Sequence, residues 1–255
     1  MAKITIPNEM FGKKLGEDLI EKVLSKQNQQ DPQPKIIKPS IVDKPESYII
    51  LPGKIYNNYS YPDLLVSKER SYHNNDWHQS HELLSKDNSF MLTIRQFVDF
   101  LNLLKSGKAY NGKGDKINNK ELDDLFDEIT EVMSPGRAEW LDADFKVIND
   151  NLHINYEHRF INNTLTPRYL EPLESCLMED KTPGIDIKSW LKNANKQGLP
   201  LKKTPDGKLY YRCPMSDNKS VAWFYADSDG AYLYCGRDPQ GSNSALGVRR
   251  TKIKI

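Results

Sequence analysis

Two short stretches near the end of the chain alternate between buried-type and displayed-type positions. In the later stretch, Ala231, Leu233 and Cys235 alternate with Tyr232 and Tyr234. Successive side chains of a β-strand point to opposite faces of its sheet. The pattern therefore predicts a strand that buries the three apolar residues and displays the two tyrosines on its other face.

The earlier stretch has the same character, because Val221 and Phe224 frame Trp223 and Tyr225. We expect the first pair to be scaffold and the second pair to be displayed. Large-to-small changes in a core cost about 2–5 kcal/mol, whereas most exposed sites tolerate substitution within about 0.5 kcal/mol. A chain with this partition can vary its surface while it keeps its core.

The displayed residues between Ser216 and Arg250 are mainly Tyr, Trp, Gly, Asp, Arg and Asn. This composition is typical of binding surfaces, since Tyr and Trp give rigid contact area and the small polar residues give adaptable contacts. The alternative is an ordinary exposed sheet face, because Tyr also has a high strand propensity. No catalytic constellation in the sequence competes with the binding interpretation, so we expect a protein that is not an enzyme.

Helical periodicity dominates the first part of the chain. Asn8 can cap a helix whose apolar stripe runs from Met10 to Leu24. Such a stripe packs on the body of the protein or on a second copy of itself, which would make an oligomer. Residues 27–46 are rich in Gln, Pro and Lys, which is typical of an extended arm. The predicted organisation is an N-terminal helix and arm over 1–46 and one domain over 47–255.

Three further helices are marked by their caps. Thr93 and Gln96 form a capping-box pair and Gly107 ends that helix. Asn118 or Asn119 begins a second helix, which Ser134-Pro-Gly ends, and Asp186 caps a short third one. These signals place most of the helices before most of the strands.

Short strands follow from apolar and β-branched runs between turn residues. Tyr48–Pro52 is one, and Phe145–Ile148 with Leu152–Tyr156 predicts a hairpin. The turn Thr204-Pro-Asp-Gly leads into Lys208–Arg212. Helices followed by many short strands predict an α+β fold rather than a wound βαβ sheet.

Composition narrows the class of protein. The chain has 255 residues, with 36 basic and 35 acidic residues and a net charge of +1. This balance lacks the clustered basic face of a nucleic-acid-binding protein. No apolar run is long enough for a membrane span, and the N-terminus has no signal-peptide pattern. We therefore expect a cytoplasmic or virion-associated protein, with no preference between the two.

Two sets of residues are candidates for metal or redox chemistry. Residues 57–87 are predicted to be irregular and polar, and they hold His73, His78 and His81. A metal site there would need a tighter ligand spacing, so we expect hydrogen-bonding histidines in a solvated loop, no metal and no cofactor. Cys176, Cys213 and Cys235 are too few and too scattered for a disulfide framework. We expect reduced thiols, with a Cys213–Cys235 bridge as the alternative.

Several motifs between Met91 and the C-terminus resemble one family. They are Ser216–Ala222, Ala226–Ser228, Leu233–Cys235 and Ser242–Arg249 near the end, and Glu139–Phe145, His153–Arg159 and Gln197–Pro200 upstream. In these motifs the chain is similar to the variable proteins of archaeal diversity-generating retroelements, the AvpA-like family of archaea and archaeal viruses.

That resemblance implies a C-type-lectin-like fold, here with an N-terminal helical segment. It also implies that adenine-directed mutagenesis by an error-prone reverse transcriptase diversifies a ligand-binding region at about 216–250. The ligand would be a variable macromolecule, a protein or another cell-surface target. The residues expected to contact it are Trp223, Tyr225, Asp229, Gly230, Tyr232, Tyr234, Gly236, Arg237, Asp238, Gly241 and Asn243.

Two alternatives remain open from the sequence. One is an enzyme on the related formylglycine-generating fold, in which Cys213 and Cys235 would have to supply a reactive thiol pair. The other is a virion attachment or structural protein, joined to its particle through the N-terminal helix. The second alternative is compatible with a variable binding surface.

Overall fold

The computed structural model describes residues 44–57, 59–131 and 135–255, together with 9–10 and 13–14. The chain divides into two compact units, Met1–Val42 and Asp43–Ile255. In the first unit, strands β1 (Glu9–Met10) and β2 (Lys13–Lys14) form an antiparallel pair. The helix predicted to follow Asn8 is wrong at these four positions, because they form strands. The rest of that helix and most of the 27–46 arm lie outside the described residues.

The second unit is built on one ten-stranded mixed sheet. Its strands are β3 (Tyr48–Leu51), β6 (Leu64–Ser71), β7 (Arg137–Ile148), β8 (Asn151–Ile161), β9 (Thr164–Pro172), β10 (Lys181–Ile185), β11 (Leu209–Arg212), β12 (Val221–Ala226), β13 (Ala231–Arg237) and β14 (Leu246–Ile253). Their order is β10-β11-β13-β12-β7-β14-β6-β3, and β8 pairs with β7 and β9. A separate hairpin consists of β4 (Lys54–Tyr56) and β5 (Tyr59–Tyr61).

Two strand pairs of the large sheet are parallel, β11 with β13 and β14 with β7, and the other pairs are antiparallel. The predicted hairpin is present as β7 and β8, which are 12 and 11 residues long. Asn149 and Asp150 at its tip have φ angles of 49° and 62°. Positive φ at both central residues is what a type I′ hairpin turn requires, and Asn and Asp tolerate it best.

Four α-helices complete the described part of this unit: α1 (Trp77–Lys86), α2 (Ile94–Ser106), α3 (Asn119–Thr130) and α4 (Ile187–Asn193). The caps predicted for α2, α3 and α4 are confirmed at Thr93, Asn118 and Asp186. With the large sheet, these helices make the domain α+β, as predicted. Across the described ranges, no helix has the length and apolar character to cross a membrane.

The prediction of an irregular segment over 57–87 is wrong. It contains β5, β6 and α1, and Asp76 begins α1 with a capping box to Gln79. Within α1, Trp77 and His81 are buried although most of the helix is polar. The helix was not predicted because most of its residues are polar and only a narrow stripe of them is buried.

The main core lies between one face of the sheet and helices α2 and α4. The ring of Phe224 lies 5.1 Å from Phe97 of α2 and 6.1 Å from Trp190 of α4, between ring centroids. Ala231, Leu233 and Cys235 belong to the same buried cluster. The prediction that these residues form the scaffold is therefore confirmed, as is the predicted burial of Val221 and Phe224.

A smaller cluster fills part of the opposite face, where Trp77, Trp140, Trp223 and Leu246 are buried together. The indole N–H of Trp77 donates to the carbonyl oxygen of Leu141 at 3.0 Å, which attaches α1 to β7. The sheet thus has a large core on one side and, on the other, a thinner apolar layer. Partly exposed aromatic residues extend from that layer.

Buried charges hold the last strand in place. The carboxylate of Glu139 lies between Arg137, at 2.7 Å, and Arg249 of β14, at 3.0 Å. Burial alone would raise the pKa of Glu139, but the two guanidiniums outweigh it and hold that pKa below its usual value. The ion pairs fix the register of β14 beside β7.

Candidate ligand-binding surface

Four tyrosines and one tryptophan form a continuous layer on the thinly covered side of the sheet. We call the set Tyr210, Trp223, Tyr225, Tyr232 and Tyr234 the aromatic face. Strand pairing places Tyr232 of β13 between Tyr210 of β11 and Tyr225 of β12. Its ring centroid is 4.3 Å from that of Tyr210 and 4.2 Å from that of Tyr225. Three tyrosine rings therefore contact one another across three neighbouring strands, with Tyr225 and Tyr232 stacked and Tyr210 tilted by 32° against Tyr232.

Trp223 lies beneath these tyrosines and is only 9% exposed. Its ring is 4.7 Å from Tyr225, 5.9 Å from Trp140 and 6.2 Å from Tyr234. The prediction that Trp223 is displayed is therefore wrong. Trp223 lies on the same face of β12 as Tyr225, but the rings around it and the guanidinium of Arg237 cover its indole.

Charged groups of both signs lie around the aromatic face, since Asp227 and Asp229 add to the burial that raises the pKa of Tyr232, and two arginines contact rings of the face. The guanidinium of Arg237 lies 4.6 Å from the Trp223 ring, and that of Arg212 lies 5.5 Å from the Tyr234 ring. Burial raises the pKa of Tyr225 and of Tyr232 above the ordinary tyrosine value. Both hydroxyls therefore stay neutral at physiological pH and offer hydrogen bonds rather than charge.

The three glycines predicted to contact ligand make room for neighbouring side chains. Gly230 is buried, which corrects its predicted exposure, and a Cβ there would lie 2.8 Å from the Tyr210 ring. A Cβ at Gly236 would lie 2.7 Å from the sulfur of Met215, and one at Gly241 would collide with the guanidinium of Arg237. Any larger residue at these positions requires its neighbour to move.

The remaining predicted contact residues lie on exposed loops. Asp229, Asp238 and Asn243 are all exposed. Asn243 accepts hydrogen bonds through its side-chain oxygen from the backbone N–H groups of Ala245 and Leu246, at 3.0 and 2.9 Å. Asp238 accepts one from the N–H of Gln240 at 2.9 Å. Asp238 and Asn243 thus shape their own loops as well as facing solvent.

The sequence analysis did not predict that Tyr210 belongs to the aromatic face or that Arg212 borders it. Their strand alternates, with Leu209 and Tyr211 buried and Tyr210 and Arg212 half-buried, and that alternation was visible in the sequence. The parallel pairing of β11 with β13 brings Tyr210 beside Tyr232. The sequence separates these residues by a long connection and gives no signal for that pairing.

The cysteines are all free, and their surroundings disfavour the thiolate form. Cys235 is fully buried, and burial raises its pKa well above the usual value. Burial, with Asp180 nearby, raises the pKa of Cys213 to about 11, and burial raises that of Cys176 to about 11. A nucleophilic cysteine needs a lowered pKa and access to solvent.

His81 is not in a solvated loop, as the sequence had suggested, but is buried beside Asp142 and His158. Burial lowers the pKa of His81 to about 3. Burial also lowers the pKa of His158, but the charge of Asp142, its hydrogen bond to the ring and the charge of Asp144 together outweigh burial, and the net shift of the pKa is upward. At neutral pH the cluster therefore holds a neutral His81, and Nδ1 of His158 lies 2.5 Å from Oδ1 of Asp142.

No family model matches the chain, and searches of curated proteins and of solved structures returned no match.

Proposed function

We propose that the chain is a non-catalytic binding protein whose aromatic face and bordering loops contact a macromolecular ligand. The observation that carries this proposal is the partition along β13. Its alternate residues Ala231, Leu233 and Cys235 are buried, while Tyr232 and Tyr234 are half-buried on the other side. A rigid strand with a packed back and an accessible aromatic front is suited to recognition.

The chemistry of the surface supports a protein or other cell-surface ligand. Stacked tyrosines lose little rotamer freedom on binding, and Tyr, Trp and Arg supply much of the binding energy in known interfaces. Arg212 and Arg237 are half-buried at the border of the rings, where they can pair with acidic groups or stack on aromatic ones. The exposed loops at Asp229, Asp238 and Asn243 would supply polar contacts around this centre.

We further propose that the domain has a C-type-lectin-like fold and that retroelement mutagenesis diversifies its surface. The motif resemblance to archaeal variable proteins motivates this finer assignment. The partition of the 216–250 region is consistent with it, because the exposed positions can change without emptying the core. Trp223 and Gly230 are poor candidates for free variation, since one is buried and the other adjoins the Tyr210 ring.

Two matched display libraries test the binding proposal. The surface library randomises Tyr225, Tyr232, Tyr234, Arg237 and Asp238. The core library randomises Phe224, Ala231, Leu233, Cys235 and Leu246. We expect most surface clones to remain folded and protease-resistant, and most core clones to be lost.

The surface library, panned against an unrelated folded protein such as lysozyme, should also yield binders. Two results would contradict the proposal. One is loss of folding in the surface library comparable with that in the core library. The other is a surface library that folds but yields no binder, although a library of equal size on an established binding scaffold yields binders to the same target.

A formylglycine-generating-like enzyme is the less supported reading. It needs a reactive thiol at Cys213 or Cys235, whereas burial raises the pKa of both. Attachment to a virion concerns the N-terminal segment, which lies largely outside the described residues.

A further inference from the structure

A second candidate site lies where three elements meet beside Trp77, which belongs to the same buried cluster as Trp223. Helix α1 contributes His81, β7 contributes Asp142 and β8 contributes His158. All three side chains are buried, and their possible ligand atoms lie within 4.8 Å of one another. The ring of Trp77 packs against both imidazoles, at 4.3 Å from His81 and 5.0 Å from His158.

The Nε2 atom of His81 is buried and, among the described residues, has no hydrogen-bond partner. The nearest carboxylate oxygen, Oδ1 of Asp142, is 3.7 Å away, which is too long for a hydrogen bond. His81 itself is 3% exposed. Leaving a buried polar atom unsatisfied costs about 1–3 kcal/mol. An unpartnered nitrogen aimed at a carboxylate and a second imidazole points to a ligand between them.

We propose that His81, Asp142 and His158 bind a divalent first-row transition-metal ion, for which Zn²⁺ is the best-fitting species. Two imidazoles and one carboxylate are a common donor set for these ions. Tetrahedral Zn²⁺ with bonds of about 2.0–2.1 Å places its ligand atoms about 3.3 Å apart. The 3.7 Å between His81 Nε2 and Asp142 Oδ1 needs only a small closure to reach that spacing.

Asp144 supplies the outer contact that a metal-binding histidine requires. Its Oδ1 atom lies 3.6 Å from Nε2 of His158. Like Nε2 of His81, this oxygen is buried and has no hydrogen-bond partner within the described ranges. Histidines that bind a metal through one nitrogen usually donate the other N–H to a carboxylate. His158 would thus bind the ion through Nδ1 while Asp144 orients its ring.

Binding exchanges a proton for the ion. In the metal-free state, Nδ1–H of His158 donates to Oδ1 of Asp142 at 2.5 Å, closer than two ligands of one ion can lie. Nδ1 and Oδ1 must move apart around the metal, and Nδ1 must give up the proton of this hydrogen bond before it can bind the ion. Metal affinity should therefore rise with pH, as it does wherever a ligand must first be deprotonated.

A surface pocket gives access to the cluster. It has a volume of about 480 Å³, and His81 and His158 both line it beside Ser89, Phe90 and Arg159. Three protein ligands leave one tetrahedral position free, which is the arrangement of zinc sites that bind water or a substrate group. The pocket could admit a small ligand to that position, next to the positive charge of Arg159.

The first test uses the full chain, treated with chelator and titrated with Zn²⁺ by calorimetry, with Mg²⁺ as the control ion. We expect one Zn²⁺ per chain, release of protons detected as a dependence on buffer ionisation enthalpy, and a higher Tm. Co²⁺ added instead should give a visible absorption spectrum typical of four or five nitrogen and oxygen ligands. Absence of stoichiometric Zn²⁺ binding and of any Tm shift overturns the proposal.

Matched variants locate the ion. His81→Gln keeps a similar volume but removes the imidazole, whereas His78→Gln changes an exposed histidine of the same helix. We expect H81Q to lose at least tenfold in Zn²⁺ affinity and H78Q to bind as the wild type does. Equal affinity in H81Q and wild type would overturn the assignment. If H81Q is unable to fold, the wild-type chain provides the test. A Co²⁺ spectrum of the wild-type chain without the ligand-field bands of nitrogen ligands would also overturn the assignment.

Discussion

Tyr225 and Tyr232 stack across β12 and β13 with ring centroids 4.2 Å apart and ring planes 7° from parallel. The pair lies on the side of the sheet opposite Phe224 and Leu233, which are buried in the main core. Neighbouring residues of the same two strands thus serve different purposes. The tyrosines present a surface, and the residues next to them hold the sheet to its helices.

Stability should separate these two roles. Replacing both Tyr232 and Tyr234 with Ala should cost about 2 kcal/mol. The change removes four aromatic contacts, each of which should be worth about 0.5 kcal/mol, the low end of the usual range, on a partly solvated face. Leu233→Ala alone should cost about 2–5 kcal/mol, since it opens a cavity in the core. Urea unfolding of the three proteins measures the difference. A double tyrosine variant less stable than L233A would place the tyrosines in the core.

Trp223 should behave as a core residue despite its place among the displayed aromatics. It is 9% exposed and packs against Trp140 and Tyr225. We expect Trp223→Ala to destabilise the domain by about 3–5 kcal/mol, and Tyr234→Ala, its matched partner on the same face, by much less. Thermal unfolding of both variants is the measurement, and similar Tm values for the two would show that Trp223 is a surface residue.

Glu139 should make the stability of the domain sensitive to acid. Arg137 and Arg249 hold its folded pKa below the ordinary value of 4.5. A lowered folded pKa contributes stability that is present above the unfolded pKa and is lost as pH falls through the folded one. Stability from Glu139 should therefore begin to fall near pH 4.5 and continue to fall below it.

Glu139→Gln isolates this contribution. Removal of one partner from a buried ion pair costs about 3–5 kcal/mol at neutral pH. We expect a loss at the low end of that range, because Glu128 still pairs with Arg137 at 2.9 Å and with Arg249 at 3.3 Å. The variant should also show a weaker loss of stability between pH 5 and 3 than the wild type. Asp123→Asn changes an exposed carboxylate on helix α3 and serves as the control. Parallel pH profiles for wild type and E139Q would contradict the account.

The thiols should react slowly in the folded protein. Cys235 is fully buried, and burial raises its pKa, so iodoacetamide at pH 7.5 should modify it only after unfolding. Cys213 and Cys176 are half-buried with a pKa of about 11, and should react more slowly than free cysteine. Mass spectrometry of labelled peptides measures each rate. Rapid labelling of Cys235 would favour an enzyme with a reactive thiol.

The sequence predicted those parts of the fold that local chemistry determines. Thr93, Asn118 and Asp186 cap their helices as expected, because a cap requires only a side-chain oxygen and nearby N–H groups. The alternation along β13 likewise predicted which side is buried. Both features depend on residues a few positions apart.

Features that depend on distant contacts could not be predicted. Tyr210 joins the aromatic face through a parallel pairing, and the rings of Trp140 and Tyr225, on neighbouring positions of the sheet, help to bury Trp223. His81 comes from α1, which is far along the chain from the β7–β8 hairpin that holds Asp142 and His158. Periodicity identifies the face of each element, but strand order decides which faces meet.

We propose that the surface around Tyr225 and Tyr232 varies among copies of the gene while the core residues stay the same. The most direct measurement is to sequence the DNA flanking the gene in several clones. We predict a near-copy of the Ser216–Arg250 coding segment with adenines wherever the two copies differ, and a neighbouring reverse-transcriptase gene. The differing codons should encode exposed positions and avoid Phe224, Leu233 and Cys235. A single invariant segment, with no near-copy and no such gene, would contradict diversification.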